Sequence, residues 1–146
     1  MDLILGKPLK RYFLEHVKRD DKQYVVTKPL HVFKKIRTGG RPKSAIANLI
    51  IPVGARVNAP RSVFDDDIDA INRKMRASLA YTHSIHAIGC HGKDYGPLQS
   101  GHSGWDQNFR YEVDRTVEPE SFNRSRTVCA PGIHFFLNLR DALYNF

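Results

Sequence analysis

Seven histidines raise the first chemical question. His83, His86, His91 and His102 lie near Cys90, Asp94 and Asp106, and three nitrogen or carboxylate ligands plus a water would make a hydrolytic zinc or manganese site. The spacing argues against it. On one strand His83 and His86 face opposite sides, and the chain has no His-x-Glu, no Cys-x-x-Cys and no two-histidine helix motif. Ordinary loop histidines are the plainer reading, so no metal and no cofactor is expected. Cys129 could be a nucleophile with His134 as its base. A buried structural thiol fits the same residues, because nothing beside Cys129 would lower its pKa.

The other available chemistry is binding. Lys34, Lys35, Arg56, Arg73 and Arg76 fall on or next to strand-like segments and interleave with Tyr81, Phe109 and Tyr111. Cations of this kind meet phosphates and aromatic faces stack bases, which suits a nucleotide. Edge-strand lysines and core aromatics would produce the same pattern. Neither a P-loop nor a Gly-x-Gly-x-x-Gly phosphate cradle occurs. The candidate ligand-binding residues are therefore Lys34, Lys35, Arg56, Arg76 and Tyr111, joined by His134 and Phe136 near the C-terminus. His134 alternates with Ile133 and Phe135, so it should face away from the side on which those two pack. No complete catalytic set is present.

Charge supports an anionic partner. The 146 residues carry a formal +8, and residues 1–43 hold twelve Lys/Arg against four Asp/Glu while the remainder is balanced at eleven each. Such a surface raises the encounter rate with nucleic acid, nucleotides or an acidic protein without choosing among them, and solubility alone is its blandest use. No apolar run approaches the roughly 20 residues of a membrane span, and the N-terminus lacks the apolar stretch of a signal peptide. A soluble, cytoplasmic protein without membrane contact is expected. Cys90 and Cys129 are too few for a disulfide framework and are read as thiols, although one bridge between them would also fit.

With 41% hydrophobic and 26% charged residues, the chain has material for one domain with a modest core. Leu9, Phe13, His16 and Val17 recur at helical spacing, which predicts a helix over residues 7–19. Residues 24–27, 31–36, 45–51 and 55–57 read as strands from their β-branched and apolar content. The aspartates at 65–69 suit the start of a helix running to about Lys74. Alternation of Ala77, Leu79, Tyr81, His83 and Ile85 predicts another strand, and the five glycines of residues 89–104 predict a surface loop. Phe109, Tyr111 and Val113 alternate again, residues 133–137 form a short apolar strand, and residues 139–146 a terminal helical turn or two. The expected fold is α+β: one domain with a bent, mainly antiparallel sheet and one or two short helices, comprising a basic part at 1–43 and a balanced core at 44–146.

The block Cys129-Ala-Pro-Gly-Ile-His-Phe-Phe-Leu-Asn-Leu-Arg-Asp-Ala-Leu-Tyr144 is distinctive. With Ile51-Pro-Val-Gly-Ala-Arg-Val57, Met75-Arg-Ala-Ser-Leu-Ala80, Phe109-Arg-Tyr111 and Val117-Glu-Pro-Glu-Ser-Phe122, it resembles a domain family of unknown function. Members of that family occur in phages and large viruses, some of them attached to pentapeptide repeats. The resemblance spans about residues 30–144 and implies a viral source without an activity. A second, local likeness runs from Gly132-Ile-His-Phe to Arg140-Asp-Ala142 and Tyr144. It is similar to the strand and helix lining the NAD pocket of ADP-ribosyltransferases, and would put His134 where an aromatic residue stacks on nicotinamide. The glutamate those enzymes carry on a later strand has no counterpart before Phe146.

Together these features predict a protein that captures an anionic nucleotide-like ligand. One concrete form is a phage counter-defence sponge for a host immune signal, either an ADP-ribose derivative or a cyclic oligonucleotide. The alternatives are a nucleotide-processing enzyme, of phosphodiesterase or ADP-ribosyltransferase type, and an inhibitor of a nucleic acid or a protein. A homo-oligomer is compatible with each.

Overall fold

The computed structural model describes residues 3–4, 7–59, 74–89, 92–119, 122 and 132–146. In chain order its first elements are β1 (Leu3–Ile4), β2 (Lys7–Pro8), α1 (Leu9–Leu14), β3 (Val17–Asp20), β4 (Gln23–Val26), β5 (Leu30–Arg37), β6 (Ser44–Ile51) and β7 (Arg56–Asn58). There follow β8 (Met75–Ala77), β9 (Ala80–Ile88), β10 (Asp94–Leu98), β11 (Ser100–His102), β12 (Arg110–Glu112), β13 (Thr116–Val117), β14 (Ile133–Phe135) and α2 (Leu139–Tyr144).

Alternation along β5 and β6 generates the larger sheet. Leu30, Val32, Lys34 and Ile36 point inward, and His31, Phe33, Lys35 and Arg37 point outward, as the two-residue strand period requires. The strand order is β10-β9-β6-β5-β11-β12, with β13 added on β9, and the sheet curls as a half-barrel. A smaller sheet runs β14-β8-β7-β4-β3. The described strand pairs are antiparallel, and the whole is one α+β domain, as its composition predicts.

The inward residues of both sheets meet in one core. Leu30, Val32, Ile36, Ala47, Leu49, Ile51 and Ile85 face Val26, Val57, Met75, Ala77, Ile133 and Phe135. A second, smaller cluster lies on the other side of the large sheet, where Phe136 and Ala142 pack on Ile46 and Ile88, with Phe33 and Leu143 at its margin. This cluster seats α2. Phe33 and Phe136 exchange two backbone hydrogen bonds of 2.9 Å, and Asn138 caps the helix by accepting from Asp141 N at 2.7 Å.

Three expectations are corrected. The helix predicted over 7–19 ends at Leu14, because Val17–Asp20 pairs with Gln23–Val26 in a hairpin whose turn uses Asp21 at φ +56°. Val17, which completed the helical spacing, instead pairs with Val26. The strand predicted from Ala77 is two strands, and a bulge falls where Asn48 opposes Ser84 but Leu49 opposes Thr82. His83 is the extra residue, so Ala80 and Thr82 are buried on one side of the bulge and Ile85 and Ala87 on the other.

The loop predicted over 89–104 contains β10 and β11. Two of its glycines serve strands: Gly96, at φ +111°, marks a register shift against β9, and Gly101 allows close approach to β5. A Cβ at Gly101 would lie 2.8 Å from the Arg37 carbonyl oxygen, an immobile backbone atom. Gly101→Ala should therefore destabilise the fold by about 1–3 kcal/mol, read as a lower denaturation midpoint at unchanged slope. The helix predicted from 65 to about Lys74, Arg73, His91, Cys90 and Cys129 falls outside the described residues, except for Lys74.

Candidate functional site

Strand parity separates Lys34 from Lys35, so the two cannot grip one ligand together. Lys34 points inward and is 5% exposed; its Nζ donates a 2.9 Å hydrogen bond to the His134 carbonyl oxygen, joining β5 to β14. Burial, with the charge of Lys74 as a smaller cause, pushes its pKa down to about 7. Arg76 is also buried, opposite His134 in the β8–β14 ladder, with its guanidinium 5.7 Å from the Phe122 ring centroid. Burial lowers its pKa as well. Lys34, Arg76 and His134 are thus brought together with Lys74 at the seam of the two sheets. Lys74, Arg76 and His134 each make a further interaction.

Lys35 points the other way, into a surface cleft of about 350 Å³. The cleft lies between the start of β6, the end of β9 and α2, and is lined by Lys35, Pro42, Lys43, Ser44, Ile88, Gly89, Gly92, Leu143 and Tyr144. Its size is at the small end of ligand sites, about 300–1,000 Å³. Each wall has a distinct cause. Lys35 projects from the outer face of β5, Lys43 follows the turn that leads into β6, and α2 supplies Leu143 and the 66%-exposed ring of Tyr144. Gly92, at φ +78°, lets the chain pass Leu143 where a Cβ would approach to 3.0 Å. Burial, then the nearby Arg37 charge, holds the Lys35 pKa below its ordinary value. Lys35 Nζ and Arg37 Cζ lie 4.8 Å and 4.4 Å from the Phe146 ring centroid. Two ammonium groups and an open aromatic face around one small volume can neutralise a phosphate and stack a base.

The sequence profile of a family of unknown function (DUF5758) matches residues 21–142. The chain belongs to this family. No curated protein and no solved structure matches it. The DUF5758 span includes Lys35, Lys43, Ser44, Ile88 and Gly89 of the cleft, whereas Leu143, Tyr144 and Phe146 follow it. No described helix of this DUF5758 chain is long and apolar enough to cross a membrane.

The remaining candidates stand apart from the cleft. Arg56 pairs with Asp20 at 3.0 Å and donates to Gln23 Oε1 at 3.3 Å, so its charge braces the β3–β4 hairpin. Tyr111 and Phe136 are each 1% exposed; one packs in the main core, where burial pushes its pKa up, and the other seats α2. Tyr81 donates to Asp114 Oδ1 at 2.7 Å, and Phe109 packs against Tyr111. His86 Nδ1 lies 3.1 Å from Asp94 Oδ2, and His102 Nδ1 lies 3.0 Å from the Ser103 carbonyl oxygen. Among the described residues no three His, Cys, Asp or Glu side chains are grouped to hold a metal. Sequence reasoning missed Lys43 and Tyr144 as cleft residues. Tyr144 lies within a motif already singled out, and only the exposure of its ring beside the cleft marks it.

Proposed function

We propose that this DUF5758 chain captures an anionic, nucleotide-like ligand in the cleft between β5, β6 and α2, and holds it without turnover. The observation that carries this reading is the pairing of Lys35 and Lys43 with the exposed Tyr144 ring around about 350 Å³. The formal charge of +8 supports it by favouring encounter with anions. Capture needs affinity and no catalytic set, so the reading asks nothing of the cleft beyond the groups that line it. The resemblance to domains of phages and large viruses supports a more specific version. In that version the ligand is a host immune signalling nucleotide, an ADP-ribose derivative or a cyclic oligonucleotide, and the protein acts in the host cytoplasm.

The test is incubation with a panel of nucleotides, followed by separate assay of the filtrate and of the fraction released by heat. Intact ligand recovered only after heating is the expected result. Altered ligand would replace capture with an enzymatic reading, and an unchanged filtrate throughout would transfer the role to a nucleic-acid or protein partner. The double variant Lys35→Ala, Lys43→Ala should weaken the captured nucleotide at least about tenfold, or roughly 1.4 kcal/mol. With only two lysines on the phosphate, a plot of log affinity against log salt should have a shallow slope, about two or less. A steep slope in equilibrium titrations would point to a long polyanion over a much wider surface.

A further inference from the structure

α2 packs on part of the outer face of the large sheet. Elsewhere on that face the β9 bulge brings the exposed His83 to the exposed His31, with ring centroids 6.3 Å apart and planes at 79°. We propose that His31 and His83 form a separate, two-imidazole seat for a transition-metal dication of the zinc class.

The geometry follows from the topology. β5 and β9 flank β6, so the two backbones are about 10 Å apart at the usual strand spacing. That span lets two imidazoles converge on one ion above the intervening strand. With metal–nitrogen distances of about 2.0–2.1 Å, the two ring centroids would sit roughly 5–6 Å apart, so exposed side chains need only a small rotation. Edge-to-face rings can both direct a nitrogen at the same point.

His31 is also pre-set. Its ring stacks on Phe33, with centroids 5.4 Å apart and planes at 27°, which restricts the orientation the ring can take. An all-imidazole pair selects zinc, nickel or copper over magnesium or calcium, which prefer oxygen. Two protein ligands leave coordination positions open for water or an exogenous donor. The site is independent of the cleft, since neither histidine lines it.

The test is calorimetric titration of the intact protein with zinc chloride, checked by thermal melting. One equivalent should bind, and His31→Ala and His83→Ala should each weaken it at least tenfold while His86→Ala leaves it unchanged. On the unaltered protein, zinc should shift the imidazole NMR signals of His31 and His83 selectively. Undiminished affinity in either variant, or shifts centred on His86, His91 or the cysteines, would overturn the assignment. So would the absence of stoichiometric binding.

Discussion

Phe136→Ala should lower stability by about 3–5 kcal/mol and abolish ligand capture in the cleft. The Phe136 ring is 1% exposed and packs with Ile46, Ile88 and Ala142, where truncation leaves a cavity that a sheet cannot collapse to fill. The two backbone hydrogen bonds to Phe33 survive the change, but they hold β14 and not the helix. α2 has six residues, far below the roughly 12–15 at which an isolated helix is even marginal, so its place depends on this packing. Losing it removes Leu143 and Tyr144 from the cleft wall. Chemical denaturation and ligand binding at native conditions check the two halves separately. Full binding by a folded but weakened variant would show that α2 is not a wall of the site.

The second large effect concerns Lys34. Lys34→Met should raise stability by about 2–4 kcal/mol at pH 6–7, because removing a buried charge in favour of an apolar chain of similar length outweighs the hydrogen bond it gave to the His134 carbonyl. The sign follows from the lowered pKa. Between about pH 7 and the ordinary lysine value of 10.5, the unfolded chain binds a proton that the native amine has released, so this group adds stability as pH rises through that window. Below about pH 7 the amine is charged in both states and the burial penalty is fully present. The advantage of the methionine variant should therefore be greatest at and below pH 7 and shrink towards pH 10. Denaturant midpoints of both proteins across pH 6–10 measure it; a constant difference would mean that Lys34 does not titrate in this range.

Much of the sheet was legible because β5 and β6 alternate or run apolar, and those signals depend only on which faces are buried. The β9 bulge was not, since one unpaired residue changes the parity of a strand without changing its composition. Glycines between 89 and 104 suggested a loop because local propensity cannot distinguish a flexible glycine from one, like Gly101, that makes room for a neighbouring strand. Lys34 and Lys35 are both candidate ligand-binding cations in the sequence, and their opposite directions were hidden for a related reason. A cation within a strand reads as solvent-facing, and only the carbonyl of His134, 100 residues away, explains why it points inward. In the cleft Lys35 was visible, whereas Lys43 and Tyr144 become neighbours only through the return of α2 to β5.

That long-range contact also orders events during synthesis. The β5–β6 hairpin closes over a six-residue connection, but the smaller sheet draws its strands from residues 17 to 135 and is completed only by β14. At translation rates of about 5–20 residues per second, roughly 5–20 s separate the emergence of Lys34 from that of its acceptor. Before β14 arrives the Lys34 amine lacks its acceptor; burial in the finished seam lowers its pKa to about 7, so completing the smaller sheet above about pH 7 should release a proton.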